Sequence, residues 1–492
     1  MPRPERFLSL AAALALAGCN LAPAYKVPTV PVAAKYADTG PWVLARPADR
    51  LPRADWWTLY HDRQLDRLEH RLLANNADLA AALAHYEQAQ AFSLQARSAL
   101  FPQIGAGGSA VRQRQSDTAP LRGATSPSDY DTYTAGVQLD YELDLWGRVR
   151  NSVAAGADEA QAAAADLASA QLSLQAQLAD DYLALRGLDQ QLQLLHESIG
   201  AFQKALQLTQ TLHRGGIVSG LDVARAQTQL SSTKSQWSQT AAQRALLEHA
   251  IAVLVGASAS EFRLPAQTAP IALPQVPLAV PSTLLQRRPD IAAAERRVAE
   301  GNAQIGVARA AYFPSLGLDA QGGFLSGRYA NLWTAPNHVW ALGPSLLWDI
   351  FDGGRRKAQV AAARAAADEA GARYRGVVLG AFRQVEDNLA LLDHLGTAST
   401  DQDEAAAAAQ HSLDLAMERY KQGAASYLDV VQAQTAALQA QSEELSLRTQ
   451  RLRASVQLIR ALGGGWSRRQ LAQAPARTAT AQRGGGHGNP AP

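Results

Sequence analysis

The segment Gly216-Ile-Val-Ser219-Gly-Leu221-Asp222-Val223, followed by Ala226-Gln-Thr228, returns 207 residues later as Gly423-Ala-Ala-Ser426-Tyr-Leu428-Asp429-Val430 with Ala433-Gln-Thr435. A repeat of this length is not a solenoid unit, so each copy reads as a complete structural half of an internally duplicated chain. In both copies a helical pattern halts at glycine and a new one starts at serine, with an acid three residues on. That is the arrangement of a capping box, which supplies acceptors to orphan backbone donors. Two helices therefore meet at a tight hairpin in each half.

Upstream, Gly147-Arg148 matches Gly354-Arg355 at the same spacing, and no strong helix breaker stands between either pair and its hairpin. The interval from Gly147 to Gly216, and again from Gly354 to Gly423, is 69 residues. At about 1.5 Å per residue such a helix is roughly 100 Å long, beyond what ordinary globular domains contain. Leu174, Leu178, Tyr182, Leu185, Leu188, Leu192 and Leu195 recur at spacings of three or four among many Ala and Gln, a coiled-coil-like seam. Periodicity alone allows two architectures, a wall of packed helices and a long coiled-coil rod.

The segments before the long helices change to period two. Val137, Leu139, Tyr141, Leu143 and Leu145 alternate with Gln138, Asp140, Glu142 and Asp144. In the other copy Trp340, Leu342, Leu346, Trp348 and Ile350 share one face, with Gly343, Ser345 and Asp349 on the other. These are strands with one apolar face. Shorter strand-like runs near 103–114 and 315–325 follow Phe101-Pro102 and Phe313-Pro314, where proline ends a helix. The loop expected over 115–132 is five residues longer than its counterpart, as an exposed tip tolerates. A half-buried strand of a soluble sandwich gives the same alternation. Four strands, however, are too few to close a barrel and have no evident partner sheet, while lipid forbids open edges. Several chains contributing strands to one barrel is the economical solution.

Arg3 and Arg6 precede an apolar run from Phe7 to Ala17, too short to span a bilayer, and then comes Leu16-Ala17-Gly18-Cys19. This reads as a lipoprotein signal cleaved before Cys19; an ordinary signal peptide with an incidental cysteine is the alternative. Cys19 is the only cysteine, so no intrachain disulfide is expected. Asn20 in place of aspartate favours outer-membrane delivery. The ten His are scattered, and no His-Glu-x-x-His motif or cysteine pair supplies a metal site. Gly105-Ala-Gly107-Gly108 and Gly484-Gly-Gly486 lack the lysine of a phosphate loop. With a net charge of +2 and interleaved signs there is no nucleic-acid stripe. The chain reads as a non-enzyme with no cofactor beyond covalent lipid on Cys19.

Several motifs in order resemble the outer-membrane factors of tripartite efflux and secretion systems, of the TolC, OprM and NodT type. They are Leu143-Asp-Leu-Trp146-Gly147-Arg148, Pro281-Ser-Thr-Leu-Leu-Gln-Arg287-Arg288-Pro289-Asp290-Ile291 with Ala294-Glu295, the Gln304-Ile305-Gly306 and Phe313-Pro314 run, and the two hairpins. The likeness runs from Cys19 to about Gly464. It implies a mainly helical fold with membrane β: a long-helix α-barrel plus four strands per chain in a shared twelve-strand transmembrane barrel of a homotrimer. It implies an exit duct in the outer membrane, served by a periplasmic adaptor and an inner-membrane pump of the RND type. A polypeptide-secretion duct shares this architecture; a structural envelope-spanning lipoprotein is a further alternative.

The boundaries this reading sets are a signal peptide over 1–18, a lipidated extended segment over 19–61, helices over 62–102, a strand pair over 103–146 and a helical hairpin over 147–256. An equatorial linker over 257–280, a helix over 281–314, a strand pair over 315–353, a hairpin over 354–464 and a disordered tail over 465–492 complete it. The return path of the second copy is expected over Ser426 to about Leu462 and then roughly Leu65 to Leu100. By the resemblance, Gly216, Ile217 and Val218, with Gly423, Ala424 and Ala425, are adaptor-docking tips, although each glycine also serves as a plain hairpin residue with positive φ. Likewise Asp222, Tyr420 and Asp429 correspond to gate and pore residues. Both aspartates are equally the acids of their helix starts. Ala425 and Gln432 stand where the family can place an arginine and a second aspartate, so a closing salt bridge at Ala425 is not expected.

Overall fold

A computed structural model describes residues 20–31, 36, 55–116, 127–274 and 287–468. The expectations for the signal peptide, Cys19, the end of the linker and most of the tail lie outside the described residues. The helices are α1 (Arg63–Asn75), α2 (Ala77–Ser98), α3 (Arg148–Arg214), α4 (Gly220–Leu254), α5 (Pro289–Ala310), α6 (Arg355–Lys421) and α7 (Tyr427–Ala461). The duplication is explicit in their lengths. Both long helices, α3 and α6, have 67 residues, and both returning helices, α4 and α7, have 35. The chain divides into two compact units, one holding residues 1–31, 80–167 and 293–380, the other 32–79, 168–292 and 381–492.

The first unit holds the sheet. Strands β1 (Gln103–Arg114), β2 (Asp129–Leu143), β3 (Ser315–Ser326) and β4 (His338–Leu347) form one antiparallel sheet in the order β1-β2-β3-β4. Residues directly opposite in antiparallel strands share a face. Ile104, Leu139, Ala320 and Leu342 form one cross-strand row, and Ala106, Val137, Gly322 and Trp340 the next. The other face carries the rows Gln103, Asp140, Asp319, Gly343 and Gly105, Gln138, Gln321, Ala341. The apolar face is uncovered, with Ile104 at 74% and Trp340 at 73% exposure. Within the described chain the outer edges of β1 and β4 have no strand partner.

The strand ends differ from the sequence expectation. The β4 alternation was expected to reach Ile350 but stops at Leu347, because the polar groups that follow turn to building the start of α6. Asp352 accepts the Gly354 and Arg356 backbone N–H groups at 2.9 and 3.1 Å, and Asp349 pairs with Arg355 at 2.7 Å. Likewise β2 ends before Leu145, whose N–H turns back to the Leu143 carbonyl, while Asp144 accepts the Arg150 N–H at 2.8 Å at the start of α3. β2 begins at Asp129, so the loop after β1 is shorter than the expected 115–132. In this unit Tyr25 donates to Glu295 at 2.6 Å, and Asn302 and Arg309 donate to the Pro23 and Leu21 carbonyls, laying the N-terminal segment along α5.

The second unit is held by an apolar cluster that includes Trp57, Leu65, Leu68, Leu72, Tyr182, Ile251, Val385 and Leu458. Asp62 starts α1 by accepting the Gln64 and Leu65 N–H groups at 2.7 and 3.1 Å, and also accepts the Tyr182 hydroxyl at 2.8 Å. The helical stretch expected over about Leu65 to Leu100 divides at Asn76, which leaves helical geometry at ψ 126. Its side-chain oxygen accepts the Leu79 N–H at 2.8 Å, opening α2, and its amide donates to the Leu254 carbonyl at 2.8 Å. The belt after α4 is pinned by buried charges. Asp189 accepts Arg186, Arg244 and the Gln267 N–H at 2.7, 2.6 and 3.0 Å, while both arginines donate to the belt carbonyls of Pro265 and Leu264.

Candidate functional site: the hairpin tips and the channel surfaces

Each long helix ends in the same backbone device. Gly216, at φ +75, donates to the His213 carbonyl at 2.9 Å, and Ile217 reaches back to Leu212 at 2.9 Å. Gly423, at φ +72, donates to Tyr420 at 3.0 Å, and Ala424 to Arg419 at 2.8 Å. This pairing satisfies carbonyls that a helix end leaves open, and it needs a left-handed residue that glycine provides without a steric cost.

The helices that leave the tips start alike. Asp222 Oδ2 accepts the Ser219 N–H and Oγ–H at 3.3 and 2.9 Å, and Asp429 Oδ2 accepts the same groups of Ser426 at 3.0 and 2.9 Å. Asp222 is half-buried and also meets Arg225 at 3.4 Å, whereas Asp429 is exposed and makes no ion pair among the described residues. Between the two devices the tips stand out. Ile217 is 71% exposed, Ala424 is exposed, and Val218 and Ala425 are half-buried. The first tip is braced by His213 against the Val218 carbonyl at 2.9 Å, the second by Arg419 against Ala424 at 3.4 Å.

Tyr420, unlike Asp429, is buried. Only 7% exposed, it packs against Tyr427 with ring centroids 5.4 Å apart, in a cluster with Phe202, Leu206, Leu230 and Val430. Its hydroxyl is buried and has no hydrogen-bond partner among the described residues. Burial, with Tyr420 alongside, pushes the Tyr427 phenol up to about 12. In the single chain Tyr420 belongs to the core shared by the two hairpins, seated against an aromatic partner seven residues on.

In the first unit Glu300 is raised to about 7, chiefly by burial and then by Glu159, which is both a like charge and a hydrogen-bond partner. Arg297 offsets this only in part, being shared with Asp166 and Glu159. Sequence reasoning missed the Arg186, Asp189, Arg244 and Glu248 cluster. Its signal was two oppositely charged pairs at helical spacing inside apolar helices. Among the described residues no group of acids, histidines or cysteines could hold a metal ion, and no helix is long and apolar enough to cross a membrane.

With this geometry in hand, the family model described as "Outer membrane efflux protein" matches residues 68–257 and 280–464. The chain belongs to the outer membrane efflux protein family. It is 33% identical over 472 residues to the toluene efflux pump outer membrane protein TtgF of Pseudomonas putida, covering 94% of this chain and 97% of that one. Outer membrane protein OprJ of Pseudomonas aeruginosa is 31% identical over 461 residues, covering 93% and 95%. The solved outer-membrane channel OprN superposes with a TM-score of 0.83 at 31% identity, covering 91% of this chain and all of that one. This efflux protein is accordingly an outer-membrane channel and not an enzyme. Its four strands are one third of a twelve-strand barrel shared by a trimer, and its long helices belong to the helical barrel. The exposed apolar rows of the sheet are then the lipid-facing surface, and the rows of Gln, Asp and Gly face the lumen.

Proposed function

We propose that this channel is the exit duct of a tripartite pump in which the tips at Gly216, Ile217 and Val218, and at Gly423, Ala424 and Ala425, receive a periplasmic adaptor. The inner-membrane pump is of the RND type, and the duct is anchored in the outer membrane by acyl chains on Cys19. The observation that carries the docking reading is the exposure of Ile217 at the end of a hairpin whose backbone is closed on itself. A large apolar side chain held out by a rigid turn is a contact residue in search of a partner surface. In this reading the duct conducts passively and the inner-membrane pump supplies the energy.

Asp222 and Asp429 are proposed to ring the periplasmic aperture. Three chains bring six carboxylates to that level, and a narrow ring of one sign favours counter-ions and repels co-ions. Their capping bonds are compatible with this, since each carboxylate uses one oxygen on its serine.

The test is in-cell photocrosslinking from Ile217 and Ala424 with identification of the captured protein by mass spectrometry. An adaptor of a proton-driven pump is the expected product. An adaptor of an ATP-driven polypeptide exporter moves the channel to secretion, and the absence of any envelope partner at both positions overturns the docking reading.

A further inference from the structure

The loop between β3 and β4 folds toward one face of the sheet. Its two short turns, Tyr329–Asn331 and Ala335–Asn337, are tied together by the Asn337 amide, which donates to the Asn331 carbonyl at 2.6 Å and to Thr334 Oγ1 at 3.0 Å, and Leu332 between them is buried. The rings of this loop dock on side chains of the strands. Trp333 meets Phe324 with ring centroids 5.3 Å apart, Phe324 meets His338 at 5.7 Å, and Tyr329 meets Tyr133 at 5.9 Å. By register, Phe324, His338 and Tyr133 belong to the face that carries Val137 and Trp340. The loop therefore lies against the lipid-facing side of the wall, while Tyr329 and Trp333 stay 70 and 67% exposed.

The height of this collar follows from the register. On the lipid-facing side the rows climb from Leu143, Leu316 and Leu346 to Ala110, Tyr133 and Ser326, at the end of the sheet remote from the helices. From Leu143 to Tyr133, at about 3.4 Å per residue on strands tilted about 40°, the rise is roughly 26 Å, which matches the ~25 Å apolar band of an outer-membrane barrel. The next two rows on the same face set Arg112 opposite Asp131 and Arg114 opposite Asp129. They stand roughly 5 and 10 Å beyond the band by the same rise, which is headgroup level. The lumen-facing rows that alternate with them, Val111 with Thr132 and Gln113 with Tyr130, carry no charge. The Arg112 side chain is 80% exposed and meets Asp131 only at 4.0 Å, and Arg328 in the loop is exposed and makes no ion pair among the described residues.

We propose that this collar binds the phosphorylated glycolipid of the outer leaflet, with Arg112 and Arg328 on a headgroup phosphate and Tyr329 and Trp333 against its sugar and upper acyl region. A guanidinium fork matches the geometry of phosphate oxygens, and Trp and Tyr suit a boundary that is apolar at one end and wet at the other. Asp129 and Asp131 share this face and offset Arg114 and Arg112, which leaves Arg328 as the surplus cation. A headgroup layer of phosphates bridged by divalent cations is complementary to both signs. The occupant is a lipid because the collar continues the lipid-facing rows and places its arginines where phosphates lie. The proposal rests on the lipid-facing assignment of those rows and goes beyond it by naming the lipid.

The experiment is native mass spectrometry of the purified trimer titrated with lipid A bearing two phosphates, with dephosphorylated lipid A and with phosphatidylglycerol, repeated on Arg112→Gln combined with Arg328→Gln. Both side chains are exposed, and the trimer mass in the same spectra shows that the variant is intact. The unaltered channel should hold phosphorylated lipid A about tenfold more tightly than either comparison lipid, and the double variant should lose that preference, the scale set by losing a charge-assisted hydrogen bond. Equal retention of dephosphorylated lipid A or of phosphatidylglycerol, or an unchanged preference in the variant, overturns the glycolipid site. A second measurement tests the face itself: in bilayers of brominated phospholipid, Trp340→Phe should lower the quenchable tryptophan fluorescence. If it does not, the lipid-facing assignment fails and the collar falls with it; if it does while the lipid A preference is missing, the glycolipid site alone is refuted.

Discussion

Asp429→Asn, combined with Asp222→Asn, separates the two roles an acid at a hairpin tip can have. In both copies one carboxylate oxygen accepts the serine N–H and Oγ–H at 2.9 to 3.3 Å. The asparagine amide oxygen accepts the same bonds, so the helix start survives while the charge is removed. Truncation to alanine, by contrast, removes the N3 acceptor of the capping box, a loss on the order of 0.3–1 kcal/mol per site. The charge's own contribution at a helix N-terminus is about 0.5 kcal/mol at an exposed position. A chain of 492 residues has an unfolding entropy of about 1 kcal/mol/K at ~2.1 cal/mol/K per residue, so either change moves the melting midpoint by only ~1 °C. Stability therefore says little, and conduction is the informative measurement. Purified trimers in planar bilayers under a salt gradient should show a cation preference that the double asparagine variant reduces, with melting unchanged within ~1 °C. A variant with the original reversal potential would refute the aperture argument and leave Asp222 and Asp429 as helix-start residues only.

Glu300→Gln should stabilise the channel in a pH-dependent way. Because the folded pKa is raised to about 7, the folded state holds a proton that the unfolded chain has lost, and stability falls as pH rises from about 4.5 through 7. The full shift corresponds to ~3 kcal/mol, which half-exposure reduces to about 1 kcal/mol, so thermal scans should favour the variant by ~1 °C at pH 8 and not at pH 4. Asp189→Ala leaves Arg186 and Arg244 buried without their shared partner, a loss of about 3 kcal/mol, and limited proteolysis should then cut the belt near Leu264 to Thr268. At φ +72, Gly423→Ala should cost about 1 kcal/mol and Gly423→Asn less, as asparagine tolerates the left-handed region; equal losses in denaturant titrations would point to contacts instead of backbone strain. Cys19→Ser should remove the acyl mass from the mature N-terminus while trimers still form.

The long helices and hairpins were legible in the sequence because their signals are local. A glycine, a serine and an acid within seven residues define each tip, and an uninterrupted helical pattern defines each wall. The two strand pairs were legible for the same reason, through period-two alternation. What escaped depends on partners distant in sequence. The break at Asn76 is held by a carbonyl at Leu254, and the belt is held by Asp189 receiving Gln267. The end of β4 was missed because Trp348 and Ile350 continue the apolar pattern, while Asp349 and Asp352 have already committed the backbone to α6. Tyr420 was assigned by position in the family pattern, which does not reveal that Tyr427 is packed against it.

The two hairpins share a backbone but are filled differently, and this bounds what the mouth can do. Tyr420 stands 207 positions after His213, and Tyr427 stands 207 positions after Gly220. In the first copy the pair is a histidine with a glycine, and a Cβ added at Gly220 would stand 3.7 Å from the His213 ring. In the second copy the same two positions hold rings 5.4 Å apart, both buried. Two buried aromatic side chains contribute several kcal/mol of apolar burial. The second hairpin supplies this aromatic pair, which packs on Phe202, Leu206 and Leu230 of the first and so ties the two together, while the first has a small, exposed turn braced by His213 on Val218. The tips differ as well, with Ile217 and Val218 in one and Ala424 and Ala425 in the other. A trimer thus presents three tips with large apolar side chains and three with small ones. A partner that touches all six cannot make six equivalent contacts, so duplication of the backbone does not give the mouth sixfold chemistry.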